Sequence, residues 1–190
     1  MDLITLYPTE TTTTTHRRTE MNVDDIPKLT RRGSKQLTVS LDYFKHYLEN
    51  RRLIMNPEFH RGHVWTQEQQ VKFVEFILSG GDTNNVIYFN YDEDAPRPKN
   101  MLLVDGLQRV TAVQKFLNGD LAVFGGHKIG DFTGNMKAVL RHSYLHFNVN
   151  NLKTYKEVLK WYLEMNSNGT PHTHEEIERV RSLLDKAQED

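Results

Sequence analysis

The sequence contains no cysteine, no long apolar run and no excess of one charge. Zero cysteines among 190 residues exclude disulfides, thiol catalysis and thiolate-bound metals, and they suit the reducing cytoplasm in which we expect the protein. No apolar run approaches the roughly 20 residues that cross a bilayer, and the Thr-rich N-terminus lacks a secretory layout. A formal net charge of −1 gives no global positive field for nucleic acid. We therefore expect no membrane partner.

Three common catalytic motifs are also missing. The chain has no Gly-x-x-x-x-Gly-Lys-Ser/Thr phosphate loop, no Gly-x-Ser-x-Gly nucleophile turn and no His-Glu-x-x-His zinc helix. The enzyme classes that depend on these motifs are therefore excluded.

Composition divides the chain into an arm and a domain. Residues 1–36 contain the threonine tract 11–15 and the basic pairs Arg17-Arg18 and Arg31-Arg32, with few periodic apolar positions. Such a stretch cannot bury enough surface to offset the entropy cost of ordering it. We predict a flexible N-terminal arm over 1–36, with ordering on a partner as the alternative. Residues 37–190 are long enough to form one domain with a core.

Hydrophobic periodicity and capping residues predict mixed secondary structure in this domain. Ser40 and Thr66 are candidate N-caps of two helices, and Gln69 stands at the capping-box position of the second. Three more helices are predicted over 107–117, 154–165 and 173–187. Strands are predicted over 53–55, 86–91, 101–104, 121–124 and 143–149. The pattern indicates an α+β fold, a small mixed sheet surrounded by helices with two helices at its C-terminal end.

The main candidate site is the turn between the apolar strand 101–104 and the helix 107–117. Its sequence is Asp105-Gly106-Leu107-Gln108-Arg109. A helix that begins at a strand end presents free N–H groups and a positive dipole end, and Gly106 permits a sharp turn. Arg109 could hold phosphate oxygens, and Gln108 could orient a water or a base edge. Asp105 could hold a magnesium ion, directly or through water, or act as a base. The same spacing is also typical of an ordinary helix cap.

A second polar cluster lies in the segment 59–65, just before the Thr66 cap. Arg61 is a candidate second phosphate ligand. His60 and His63 could ligate a metal, but no third ligand is nearby, so hydrogen-bonded histidines are the simpler reading. Trp65 is more typical of a hydrophobic anchor next to a helix start than of a base-stacking platform.

The order of these features resembles the ParB/sulfiredoxin-like family with an Asp-Gly-Gln-Gln-Arg motif, found in GmrSD-type restriction proteins. In that family a Phe/Gln-Arg-x-x-x-Trp segment precedes a helix, a strand and the motif turn. The corresponding segments here are Phe59-His60-Arg61-Gly62-His63-Val64-Trp65, then Leu103-Val104-Asp105-Gly106-Leu107-Gln108-Arg109, then Glu164-Met165-Asn166-Ser167-Asn168-Gly169-Thr170-Pro171. The similarity covers the chain from about Leu37 onward. Leu107 departs from the motif by replacing its first Gln.

The resemblance implies phosphate binding at Asp105, Gly106, Gln108 and Arg109, with Arg61 contributing. It also implies the fold, and in relatives the module is credited with NTP hydrolysis coupled to a nuclease domain that cuts modified DNA. The leading hypothesis is a nucleotide-binding domain, an Mg²⁺-dependent NTPase or weak nuclease in DNA defence, counter-defence or DNA maintenance. The alternative is a non-catalytic module that binds DNA or a partner, and competes with a restriction complex or recruits its nuclease subunit.

Overall fold

The sheet is built from strands that are far apart in the sequence. The computed structural model describes residues 30, 34–50, 53–55, 57–59, 64–94, 100–166 and 174–187. Within these ranges the strands are β1 (Lys35–Ser40), β2 (Val86–Asn90), β3 (Leu102–Asp105) and β4 (Tyr144–Asn150). They lie in the order β1-β4-β2-β3, with β2 parallel to β4 and the other neighbours antiparallel. The late strand β4 therefore joins β1 to the strands that carry the candidate site.

Six α-helices surround this sheet within the described ranges. They are α1 (Leu41–Glu49), α2 (Gln67–Leu78), α3 (Leu107–Leu117), α4 (Met136–His142), α5 (Tyr155–Asn166) and α6 (His174–Lys186). The start of α2 shows how local sequence defines a boundary. The hydroxyl of Thr66 accepts from the Gln69 backbone N–H at 3.2 Å, and the Gln69 side chain accepts from the Thr66 N–H at 2.9 Å. This reciprocal pair satisfies two N–H groups that the helix itself leaves unpaired.

Two hydrophobic clusters flank the sheet. The larger one packs α1, α2 and α3 against one face, and its fully buried members include Phe44, Ile77, Phe89 and Phe116. The smaller one joins α5 and α6 to the other face through Phe59, Leu159 and Val180. Neighbouring residues of β3 belong to different clusters, Leu103 to the larger and Val104 to the smaller. The strand that leads into the candidate site is therefore buried on both sides.

The α+β class, the mixed sheet and the two C-terminal helices are confirmed. Two short strand predictions are wrong as strands, because 53–55 contributes only a bridge between Ile54 and Leu102, and 121–124 only a bridge between Val123 and His127. Two elements were not predicted, β1 and α4. β1 begins at Lys35, inside the segment assigned to the arm, whereas residues 1–29 and 31–33 lie outside the described part of the chain.

No helix in the described ranges has both the length and the apolar character needed to cross a bilayer.

Candidate functional site

A single glycine makes the turn from β3 into α3. Asp105 is the last residue of β3, and Gly106 has φ +106° and ψ 14°. Such a backbone conformation favours glycine. A Cβ on Gly106 would lie 2.7 Å from Cδ1 and 3.0 Å from Cγ2 of Ile87 in the neighbouring strand. The space that a side chain would occupy is therefore taken by β2, and Gly106 serves close packing as well as the turn.

The N-terminal end of α3 has no side chain that caps it. Gly106 is the N-cap residue, and its carbonyl accepts the first helical bond from the Val110 N–H at 3.0 Å. The N–H groups of the first turn of any α-helix lack partners inside the helix and form its positive end. Gly106 itself has no side chain that could cap them, and such a helix start is chemically suited to an anion.

Arg109 lies in the first turn of α3 and contacts two other places in the chain. Its Nη2 donates to Oδ2 of Asp105 at 2.7 Å, and its Nη1 donates to the carbonyl oxygen of Asn84 at 3.3 Å. The Arg109 side chain is 20% exposed, and that of Asp105 is 44% exposed. These contacts use two of the five N–H donors of a guanidinium. The structure thus brings the predicted phosphate ligand and the predicted metal ligand together, and in this state they pair with each other.

Gln108 connects the start of α3 to the chain just before α2. Its side-chain oxygen Oε1 accepts from the backbone N–H groups of Val64 and Trp65, each at 2.9 Å. Gln108 was predicted to orient a water or a base edge, and this contact with the backbone was not predicted. No local signal could have found it, since the partners lie 43 and 44 residues away in the chain.

The flanks of the polar cluster 59–65 are both held in place. Phe59 is fully buried, and its ring centroid lies 4.9 Å from that of Tyr162. Its carbonyl accepts from Nη2 of Arg179 at 3.1 Å, while at the other flank the Trp65 ring packs edge-on against Phe73 at 5.4 Å. The anchor role predicted for Trp65 fits this contact. Arg61, His60 and His63, between these flanks, lie outside the described residues.

Tyr155, whose side chain is partly exposed, lies against the Phe59 side of this segment, with its ring centroid 6.2 Å from that of Phe59. The hydroxyl of Tyr155 donates to Oε1 of Glu58 at 3.3 Å. Burial, with the Glu58 carboxylate nearby, raises the pKa of Tyr155 to about 12. Tyr155 is therefore neutral at physiological pH and acts as a hydrogen-bond donor to Glu58.

Leu107 and the carboxylates near the turn bear on whether the site could bind a metal ion. Leu107, which departs from the family motif, is partly buried and packs against the larger hydrophobic cluster. It therefore contributes to the core. The described residues contain no group of three or more His, Cys, Asp or Glu side chains that could hold a metal ion. At the turn itself, the described carboxylate is that of Asp105.

The comparisons with known proteins show a family for the part of the chain that contains this turn. The family described as GmrSD restriction endonuclease, N-terminal domain, matches residues 42–143, which include the whole of β3, the Gly106 turn and α3. No curated protein and no solved structure matches the chain significantly. The matched residues make up more than half of the 190, and a family of this kind suggests a role in DNA restriction and defence. The chain belongs to the GmrSD restriction endonuclease N-terminal domain family.

Proposed function

We propose that the domain binds the phosphate groups of a nucleotide or of DNA at the start of α3, as the ligand-binding part of a restriction system. The observation that supports this most is the position of Arg109, held by Asp105 and the Asn84 carbonyl beside a helix start whose N-cap residue is glycine. An oxyanion there would meet guanidinium and backbone N–H groups together. Family membership supports the same setting, because a restriction endonuclease acts on DNA.

Asp105 makes the proposed binding depend on a cation. Its carboxylate is 44% exposed and would repel an incoming phosphate while it pairs with Arg109. Mg²⁺ is commonly held by one or two carboxylates together with phosphate oxygens. A magnesium ion shared by Asp105 and the phosphate would remove the repulsion and release Arg109 to the ligand. Arg61 would add a second cation from the cluster 59–65.

The contacts support binding more strongly than hydrolysis. The side-chain oxygen of Gln108 already accepts two backbone N–H groups, and Leu107 packs toward the core. NTPase or nuclease chemistry would require Asp105 to hold the metal ion and a further group to position water. Mg²⁺-dependent NTP hydrolysis and the ParB-like assignment therefore remain predictions for this chain.

The first test measures nucleotide binding by calorimetry, with and without Mg²⁺, in Arg109→Ala. Loss of the charge-assisted hydrogen bonds should weaken NTP binding by roughly 10- to 100-fold, because each such bond contributes about 1.5–3 kcal/mol. Arg141→Ala is the matched control, since Arg141 is an exposed arginine on α4 whose Nε lies 3.7 Å from Asp42. Unchanged affinity in a folded Arg109→Ala variant would refute the proposal.

A further variant, Asp105→Asn, separates the two charges of the site. It removes the carboxylate that competes for Arg109, so phosphate binding without Mg²⁺ should strengthen and its dependence on Mg²⁺ should fall. If Asp105→Asn instead leaves the Mg²⁺ dependence intact, Asp105 does not hold the metal ion.

The second candidate is a module that binds DNA backbone without turnover and recruits or competes with a restriction complex. The pairing of Asp105 with Arg109 favours it, because the proposed metal ligand or base is already occupied. A salt titration of DNA binding, run beside a phosphate-release assay, separates the candidates. Steep salt dependence without release indicates a binder, and Mg²⁺-dependent release that requires Arg109 indicates an NTPase.

A further inference from the structure

A polar and aromatic cavity lies on the sheet face opposite the larger hydrophobic cluster. Its volume is about 290 Å³, and it opens between the sheet and the C-terminal half of α5. The lining residues that matter here are Tyr88 on β2, Asn148 and Asn150 on β4, and Trp161, Glu164 and Met165 on α5. This volume is at the small end of ligand pockets, which commonly measure about 300–1,000 Å³. It suits a single small ring system with its substituents.

Two aromatic side chains meet at this cavity. The ring centroids of Tyr88 and Trp161 lie 6.2 Å apart, with the ring planes at 75°. Both rings line the cavity and are only partly buried. Aromatic side chains of this kind provide stacking surfaces for planar heterocycles, and they tolerate different bases because every base has a π-face.

The amide side chains of β4 supply the polar part of the cavity. The side-chain oxygen Oδ1 of Asn148 is buried and has no hydrogen-bond partner among the described residues. Leaving such an acceptor unpaired is costly, and exceptions of this kind need an explanation. A ligand with an N–H donor at this position would pair with it. An asparagine amide offers a donor next to an acceptor, the arrangement that matches the edge of a nucleobase.

The charges at the cavity argue against a phosphate in it. No lysine or arginine is among its lining residues within the described ranges. Glu164 contributes a carboxylate, which accepts from the backbone N–H and the hydroxyl of Thr30, both at 2.8 Å. A neutral planar ligand is therefore favoured over an anion at this place.

We propose that this cavity binds a nucleobase, stacked on the aromatic pair and hydrogen-bonded to Asn148. The proposal deepens the proposed function and rests on it, since it assigns a base to the same ligand whose phosphate Arg109 binds. Tyr88 links the two places, because it is the cross-strand partner of Asp105 in the pairing of β2 with β3. The base could belong to a free nucleotide or to a nucleic-acid strand, and the chemistry is shared.

The test uses nucleosides, which carry a base and no phosphate, and the variant Asn148→Leu. Calorimetry and tryptophan fluorescence should detect binding of at least one nucleoside to the wild-type protein, and Asn148→Leu should weaken it at least tenfold. Since the substitution removes an unpaired buried acceptor, we expect the variant to fold. Gln114→Leu, at a separate surface depression between α1 and α3, is the control and should leave binding unchanged. No nucleoside binding, or equal binding by Asn148→Leu, would overturn the proposal.

Inorganic tripolyphosphate, which carries no base, distinguishes this failure from failure of the phosphate site. If tripolyphosphate binding requires Arg109 while no nucleoside binds, the base cavity is refuted and the phosphate site stands. Oligonucleotides with an intact or an abasic central position identify the source of the base. A preference for the intact strand over a free nucleotide assigns the base to a strand, and equal binding of the free nucleotide assigns it to a nucleotide. In both cases Asn148→Leu must weaken the binding.

Discussion

Arg109 contributes both to the fold and to the proposed ligand site. Arg109 was predicted as a phosphate fork and Asp105 as a metal ligand, and the spacing of four residues in and before a helix allows them to meet. Arg109 also donates a hydrogen bond to the carbonyl of Asn84, which lies 25 residues away in the chain. The sequence could therefore predict which residues belong to the turn, but not which contacts satisfy them.

We predict that a substitution at Gly106 destabilises the protein mainly through its contact with Ile87. Gly106→Ala adds a Cβ that would lie 2.7 Å from Ile87 Cδ1, on a backbone with φ +106°. Strain and overpacking together should lower the free energy of unfolding by about 2–4 kcal/mol. Gly119→Ala is the matched control, because Gly119 has φ +80° but nothing within 4 Å of an added Cβ. It should cost only about 1 kcal/mol, and equal losses in urea unfolding would show that the Ile87 contact is unimportant.

At the scale of elements, local signals predicted what local forces build. The start of α2 was predictable because Thr66 and Gln69 carry the capping box in the sequence itself. By contrast, β1 has exposed residues from Lys35 to Thr38 and is stabilised by pairing with β4, more than a hundred residues away. α4 has only 7 residues and none of them is fully buried, so its apolar positions Met136, Val139 and Leu140 form a pattern too short to detect. The two elements that were not predicted are a strand that depends on a distant partner strand and a short helix at the surface.

Gln108 joins two elements, and its substitution tests that link. Gln108→Leu removes the acceptor for the backbone N–H groups of Val64 and Trp65. We expect amide hydrogen exchange at these two residues to accelerate and the free energy of unfolding to fall by about 1–2 kcal/mol. Gln108→Glu keeps an acceptor oxygen and should restore slow exchange. Unchanged exchange in Gln108→Leu would mean that the segment before α2 is held by other contacts.

At the scale of the whole molecule, one sheet separates two hydrophobic clusters of unequal size. β3 belongs to both, since Leu103 packs in the larger cluster and Val104 in the smaller. The same strand ends in Asp105 and so positions the proposed phosphate site. The cavity at Asn148 lies on the face of the smaller cluster, between the sheet and side chains of α5. The fold thus places the two proposed parts of one ligand site on the three neighbouring strands β4, β2 and β3.

The two tryptophans of the chain report on the two clusters separately. Trp65 packs against the larger cluster and Trp161 against the smaller. In Trp161→Phe and in Trp65→Phe, we expect the fluorescence transition in urea to coincide with that from far-UV circular dichroism, because loss of the shared sheet exposes both clusters.

Phe59→Ala tests directly whether the two hydrophobic clusters unfold together. Phe59 is fully buried in the smaller cluster, so its removal should cost about 3–5 kcal/mol. Introduced into the Trp161→Phe background, it should lower the urea midpoint reported by Trp65, although Trp65 packs against the other cluster. If the Trp65 transition stays in place while circular dichroism shows an earlier, partial loss of helix, α5 and α6 unfold independently of the sheet. In that case β3 would not couple the two faces, and the base and phosphate would have to be bound by parts that move separately.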